Sequence, residues 1–199
     1  MKKLIKFLIK LFLIIFVIEL VYIYFIPRKY DDIIDKYSRE YGVDKSFVKA
    51  VIFKESRFKE TAVSSKGAIG LMQLMPSTAM WLMDKLNIDD YRIEAADNNI
   101  SLGTYYLSYL MKLMDSDEEH ALLAYNAGPE NAKRWINAEG YNKNEMDNYV
   151  DFEETRKYVR EIRLTRNIIN FMDKYGIFLD ELSSILEDFS KWRRKYYYY

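Results

Sequence analysis

Glu55 is the residue whose setting points most directly to chemistry. Phe47, Val51, Glu55 and Phe58 stand at i, i+4, i+8 and i+11, so a carboxylate occupies the stripe that an amphipathic helix turns toward its core. Withdrawal from water raises a carboxyl pKa. A glutamic acid kept protonated near neutral pH can give its proton to a leaving oxygen, which glycosidic cleavage requires. The competing reading of the same spacing is a structural glutamate paired with one of the many lysines or arginines. Composition narrows the other chemistries. There is no cysteine and a single histidine, His120, which removes thiol nucleophiles, disulfides and the usual zinc clusters. Lys plus Arg, 30 in all, balance 30 Asp plus Glu, so the overall charge gives no reason to expect nucleic acid as partner.

Helices must position these groups. With 199 residues, half of them apolar, the chain has room for one cored domain and a short appendage. From Tyr30 onward the periodicity is helical, with no convincing alternating strand and no internal repeat. Ile33, Ile34, Tyr37 and Tyr41 line a first helix ending at Gly42, and Asp44 caps a second that runs to about Lys59. Thr61 to Gln73, with Gly67 and Gly70, reads as a surface loop, and a helix follows near Pro76. Asp97 is expected to cap a helix carrying Ile100, Gly103, Leu107, Leu110 and Met114; Asp117, with Glu118 and Glu119, begins another that stops near Gly128-Pro129. A long helix from about Glu154 to Tyr175 completes the set.

The amino-terminal segment obeys a different rule. Leu4 to Ile26 is apolar apart from Lys6, Lys10 and Glu19, and roughly 20 such residues match a bilayer's hydrocarbon core. Lys2, Lys3, Lys6 and Lys10 precede the unbroken apolar run, and only Arg28 and Lys29 follow closely, which predicts a cytoplasmic amino terminus and an external domain. A cleavable signal peptide is the alternative, but large aromatic residues fill Tyr22 to Tyr30 where a small-x-small site would stand. Glu19 is read as a protonated or snorkelling side chain rather than a partner contact.

Four ordered motifs carry a more specific signal. They are Glu55-Ser56; G-A-I-G-L-M-Q at Gly67 to Gln73, continued by L-M-P-S-T-A; A-Y-N-A-G at Ala124 to Gly128; and E-T-R-K-Y-V at Glu154 to Val159. Together they resemble the lytic transglycosylase domain, whose family includes the soluble lytic transglycosylases and is related in fold to goose-type lysozyme. The resemblance covers roughly Asp31 to Tyr175, and Asn99-Ile100 and Gly103 fit it as well. Asp97-Asn98 departs from it, because many relatives carry a proline near that helix start.

The resemblance implies an all-α, lysozyme-like catalytic domain over residues 30–176, and the apolar segment ahead of it is expected to be an anchor over 1–29. It makes Glu55 the acid/base and Tyr158 the hydroxyl that bonds and tunes it. Ser64, Gln73, Tyr125 and Asn126 match groove-lining positions, Met72 and Met75 match its apolar floor, and Ser56 either contacts substrate or steadies the carboxylate. Amides, hydroxyls and thioether or aromatic surfaces suit an amino sugar. Ordinary core packing is the alternative for Tyr158, Met72 and Met75. Most glycosidases need two carboxylates, whereas the motifs supply one. The resemblance therefore implies non-hydrolytic cleavage of peptidoglycan glycan strands between N-acetylmuramic acid and N-acetylglucosamine, leaving 1,6-anhydromuramyl ends with no metal or cofactor. Two rivals stand beside this reading. A muramidase would use Asp84, Asp97 or Glu154 as a second carboxylate, and a non-catalytic wall-binding subunit of an envelope machine would keep the groove but lose the acid. Residues 177–199 form a last segment, where Phe178, Leu182, Ile185, Phe189 and Trp192 make one apolar stripe before a basic, tyrosine-rich end. That helix either docks on the domain's own core or supplements the membrane anchor.

Overall fold

The computed structural model describes residues 2–88 and 92–175. The expected carboxyl-terminal helix and its tyrosine run lie outside the described residues. Ile26–Asn167 form one compact unit, and the described residues before and after it, 2–25 and 168–175, belong to another.

In the second unit a helix, α1, spans Lys2–Phe25. Several of its apolar side chains are open to solvent: Leu4, Phe7 and Ile14 are each more than half exposed. Among the described residues, no helix is long and apolar enough to cross a membrane. The expected span therefore has no support from the described part of α1.

The larger unit is helical throughout, and among the described residues there is no strand, only isolated bridges at Val63–Ile69 and Ile69–Leu74. Its helices are α2 (Asp31–Tyr41), α3 (Lys45–Ser56), α4 (Pro76–Leu86), α5 (Ala96–Leu113), α6 (Glu118–Ala127), α7 (Pro129–Ile136) and α8 (Glu153–Tyr175), the last running on beyond Asn167. Local chemistry sets several of their ends. Gly42 closes α2 in the left-handed region at φ 67°, where a residue without Cβ is unstrained. The Asp44 carboxylate accepts from the Phe47 N–H at 3.0 Å and Asp117 accepts from the His120 N–H at 3.0 Å, each satisfying an amide that a helix start leaves unpaired.

Two boundaries differ from the sequence expectation, and one helix, α7, adds to it. α3 stops at Ser56 rather than near Lys59, because Arg57 and Phe58 both take positive φ and turn the chain away. Phe58 is nonetheless buried, stacked on Tyr30 at 6.3 Å. Ala95, not Asp97, precedes α5; the Asp97 carboxylate instead accepts from the Tyr37 hydroxyl at 2.7 Å, fastening α2 to α5. The chain resumes as α7 directly after Gly128, since Pro129 is favourable at a first helical position.

α5 is the central helix. It packs against α2, α4 and α6, and Ile100, Leu102, Leu107 and Leu110 are fully buried around its circumference. Small and polar residues let its neighbours approach. Ser108 donates to the Tyr41 carbonyl at 2.8 Å, and Ser101 pairs with the Tyr41 hydroxyl at 3.1 Å. A buried Lys49 bonds Asp31 at 2.8 Å, tying α3 to the start of α2.

Candidate active site

Glu55 occupies the last turn of α3, and Tyr158 lies on the second turn of α8. The buried Tyr158 hydroxyl donates to Glu55 Oε1 at 2.6 Å, joining residues 103 positions apart. Burial is the main influence on the Glu55 carboxyl and raises its pKa from 4.5 to about 7. The Tyr158 hydrogen bond and the Lys54 ammonium act in the opposite sense, while Glu154 adds a smaller upward push. The Tyr125 and Tyr158 hydroxyls are themselves driven well above their ordinary range, chiefly by burial and then by the nearby Glu55 charge. Both remain proton donors at any physiological pH. The arrangement is a carboxyl group poised to exist in either protonation state near neutrality, which is what a single acid/base group needs.

The segment joining α3 to α4 is more than the surface loop expected from its composition. Leu71, Met72 and Leu74 are buried within it, so its backbone must find partners inside the protein. The fully buried carboxamide of Asn99 supplies two of them: Oδ1 accepts from the Met72 N–H at 2.7 Å, and Nδ2 donates to the Ile69 carbonyl at 3.0 Å and also to that of Ile93, ahead of α5, at 2.9 Å. Gly70 crosses this carboxamide at φ 84°, and an added Cβ would come 2.7 Å from Asn99 Cγ. Gly103 likewise makes room on α5, where a Cβ would meet the Met72 Cβ at 2.8 Å.

The remaining predicted residues divide into two groups. Ser56 and Met72 face inward. The Ser56 hydroxyl donates to the Leu71 carbonyl at 2.7 Å and lies 3.2 Å from the Ile52 carbonyl, clamping the segment to the end of α3 rather than gripping the Glu55 carboxylate. Met72 has no exposed surface, so the expected floor position is here a core side chain under Gly103 and Thr104. Met75 is 41% exposed at the start of α4. Gln73, at φ 48°, gives its amide hydrogens to the carbonyls of Ala62 at 3.1 Å and Gly70 at 2.9 Å. The Ser64 hydroxyl accepts from the Ala68 N–H at 3.0 Å. Tyr125 bonds the Met72 carbonyl at 2.8 Å, and Asn126 accepts from the buried Thr155 hydroxyl at 2.7 Å, leaving its amide hydrogens outside that bond. Asn99 and Thr155 are the supporting residues that periodicity alone did not single out. A signal for Asn99 exists: a polar residue one turn before Gly103 on an otherwise apolar stripe marks a close backbone approach.

Among the described residues, no group of three or more His, Asp or Glu side chains could hold a metal ion. Of the carboxylates considered as a second catalytic group, Asp97 is taken up by Tyr37, whereas Glu154 is exposed and close enough to influence Glu55.

A helical unit with one half-buried, tyrosine-bonded glutamate at the edge of a glycine-containing segment defines a lysozyme-like class of protein. Residues 32–148 match the Transglycosylase SLT domain, and the chain belongs to that family. It is 31% identical over 179 residues to the soluble lytic murein transglycosylase of Salmonella typhimurium, covering 85% of this chain and 26% of that protein. The membrane-bound lytic murein transglycosylase E of Buchnera aphidicola subsp. Acyrthosiphon pisum is 32% identical over 103 residues, 49% of this chain and 47% of the relative. Among solved structures, an inactive mutant of the lytic transglycosylase Slt from Pseudomonas aeruginosa superposes with a TM-score of 0.67 at 29% identity, covering 76% of this chain and 25% of that one. The chain thus spans about a quarter of the length of the soluble relatives.

Proposed function

We propose that this protein is a peptidoglycan lytic transglycosylase in which Glu55 is the one acid and base. The observation that carries the reading is a glutamic acid with a pKa of about 7, hydrogen-bonded by Tyr158 at 2.6 Å. Protonated Glu55 gives its proton to the oxygen joining N-acetylmuramic acid to N-acetylglucosamine as the bond from that oxygen to C1 breaks. The resulting carboxylate takes the proton of the muramyl C6 hydroxyl while O6 closes on C1. Atoms balance without water: the products are a free N-acetylglucosamine end and a 1,6-anhydromuramyl end. Holding the C6 hydroxyl near C1 makes the attack intramolecular, worth several kcal/mol of barrier in favourable geometry.

The groove reading assigns Met75 and the Tyr125 ring to the sugar faces, and Gln73, Ser64 and Asn126 to acetamido and hydroxyl groups. The exposure of Met75 and the uncommitted amide hydrogens of Asn126 support it. Ser56 and Met72 act from behind, through the shape of the segment that presents these residues.

Membrane attachment through α1, with the amino terminus cytoplasmic and the domain at 30–176 outside, is part of the same proposal. The exposed apolar side chains of α1 and the lysines ahead of them support it. A second reading, hydrolysis, is favoured by Glu154, whose charge reaches Glu55 and could instead activate water.

One experiment decides among these. Purified protein acting on sacculi should release muropeptides lighter than the hydrolytic product by one water, as read by mass spectrometry. Glu55→Gln should lower that release by at least about 100-fold with its helical spectrum unchanged, since an amide cannot donate the proton. Reducing ends in place of anhydro ends would establish the hydrolytic reading, and retained activity in Glu55→Gln would overturn the assignment of the acid.

A further inference from the structure

Lys54 and Glu161 flank both partners of the Glu55–Tyr158 hydrogen bond. Lys54 directly precedes Glu55 on α3, and Glu161 follows Tyr158 by three residues on α8. The Lys54 Nζ stands 2.5 Å from Glu161 Oε2 and 5.9 Å from the centre of the Tyr158 ring. Lys157, a more exposed residue, approaches the other oxygen of the same carboxylate at 3.7 Å. The Lys54 and Glu161 side chains are 29% and 41% exposed, and an ion pair that open to solvent contributes only about 0–1 kcal/mol to stability. Holding the fold together is therefore a weak reason for the pair.

The position of Lys54 suggests a stronger one. A lysine ammonium on a flexible four-carbon stem, 5.9 Å from the ring of the tyrosine that bonds the acid and close enough for its charge to act on that acid, is a competing partner for it. An ammonium that closed on Glu55 would hold it ionised and displace the Tyr158 hydroxyl. We propose that Glu161 is a positioning residue: its carboxylate retains the Lys54 ammonium against α8, so that Glu55 is left to Tyr158. Glu161 thereby protects the acid without touching substrate. Among the described residues, the titratable groups that act on Glu55 or feel its charge are Tyr158 and Glu154 from α8, Tyr125 from α6 and Lys54 from its own helix. Of these, Lys54 is the only cation. Even where it is held, it lowers the Glu55 pKa against the larger effect of burial.

The inference rests on Glu55 being the acid, and it makes opposite predictions for the two members of the pair. Freed by Glu161→Gln, Lys54 should move the alkaline limb of kcat to lower pH by about half a unit or more, and cut the rate at neutral pH about threefold, with little change in KM. Lys54→Met removes the cation and should move that limb to higher pH. In the double variant Lys54→Met/Glu161→Gln the limb should leave the low position seen in Glu161→Gln and lie with that of Lys54→Met, because no competing ammonium remains. The assay uses the full chain and soluble glycan strands, and thermal melts of all variants accompany it. A purely structural pair would lower the melting temperature and leave the pH limb in place. Superimposable wild-type and Glu161→Gln profiles, or a double variant as acid-shifted as Glu161→Gln, would overturn the proposal. Should Glu161→Gln not fold, an unshifted limb in Lys54→Met overturns it instead. Glu55→Gln, run in parallel, separates the two levels: if it is inert while the limbs stay put, only the role of Glu161 fails, and if it is active, the acid itself was misassigned.

Discussion

Glu55 carries opposed influences, and their balance has a thermodynamic consequence. In the unfolded chain its proton leaves near the ordinary value of 4.5, while in the folded chain it leaves at about 7. Between those values only the folded state keeps the proton, so stability is progressively lost as pH rises through that window and is constant above it. Glutamine has no proton to release. Glu55→Gln and wild type should therefore be equally stable below the unfolded pKa, and the variant should gain about 1–3 kcal/mol over wild type above the folded one. Urea unfolding at pH values on either side of the window measures this directly, and a gain independent of pH would show that Glu55 is not held at a raised pKa. A destabilising residue kept at an active centre is the usual exchange of stability for function.

The element that shapes the site is the segment between α3 and α4, and a single side chain of α5 organises it. Asn99 satisfies one N–H and two carbonyls of buried or part-buried backbone. Asn99→Ala would strand all three and should cost about 2–4 kcal/mol of stability. Asn99→Asp would keep the acceptor and lose both donors, so it should restore little. Because Met72 and Leu71 depend on this segment, and Tyr125 and Ser56 bond to their carbonyls, turnover should fall in Asn99→Ala even below its melting temperature. Circular dichroism melts paired with the muropeptide assay test both parts; a wild-type melting temperature would remove Asn99 from this role.

At the scale of the whole molecule, two different physical regimes share one chain. The Ile26–Asn167 unit hides Ile34, Phe47, Leu107 and Ile162 completely or nearly so, as a protein in water must. α1 instead leaves Leu4, Phe7 and Ile14 largely open, an arrangement that water disfavours at about 25 cal/mol per Å² of apolar surface. Deleting residues 1–25 should shift the protein from the membrane pellet to the supernatant of lysed cells while leaving glycan cleavage in solution intact. Recovery of both forms in the supernatant would remove the anchor from the proposal.

Sequence by itself determined what depends on neighbours along the chain. The helical period from Tyr30 onward, the caps at Asp44 and Asp117 and the left-handed stop at Gly42 are set by groups within four residues of one another. So is the place of Glu55 on the helix face that carries Phe47 and Val51. Tertiary structure decided the rest, because those interactions join groups whose separation in sequence carries no spacing rule. The Tyr158 hydroxyl reaches Glu55 across 103 residues; resemblance paired them, periodicity did not. Asp97 looked like a cap and instead bonds Tyr37, 60 residues earlier. Thr61 to Gln73 has the polar, glycine-containing composition of a surface loop, yet Leu71 and Met72 are buried in it. Local pairing between Ile69 and Leu74 satisfies part of that backbone, and the Asn99 carboxamide with the Ser56 and Tyr125 hydroxyls, delivered by other helices, satisfies groups that the segment's own sequence does not.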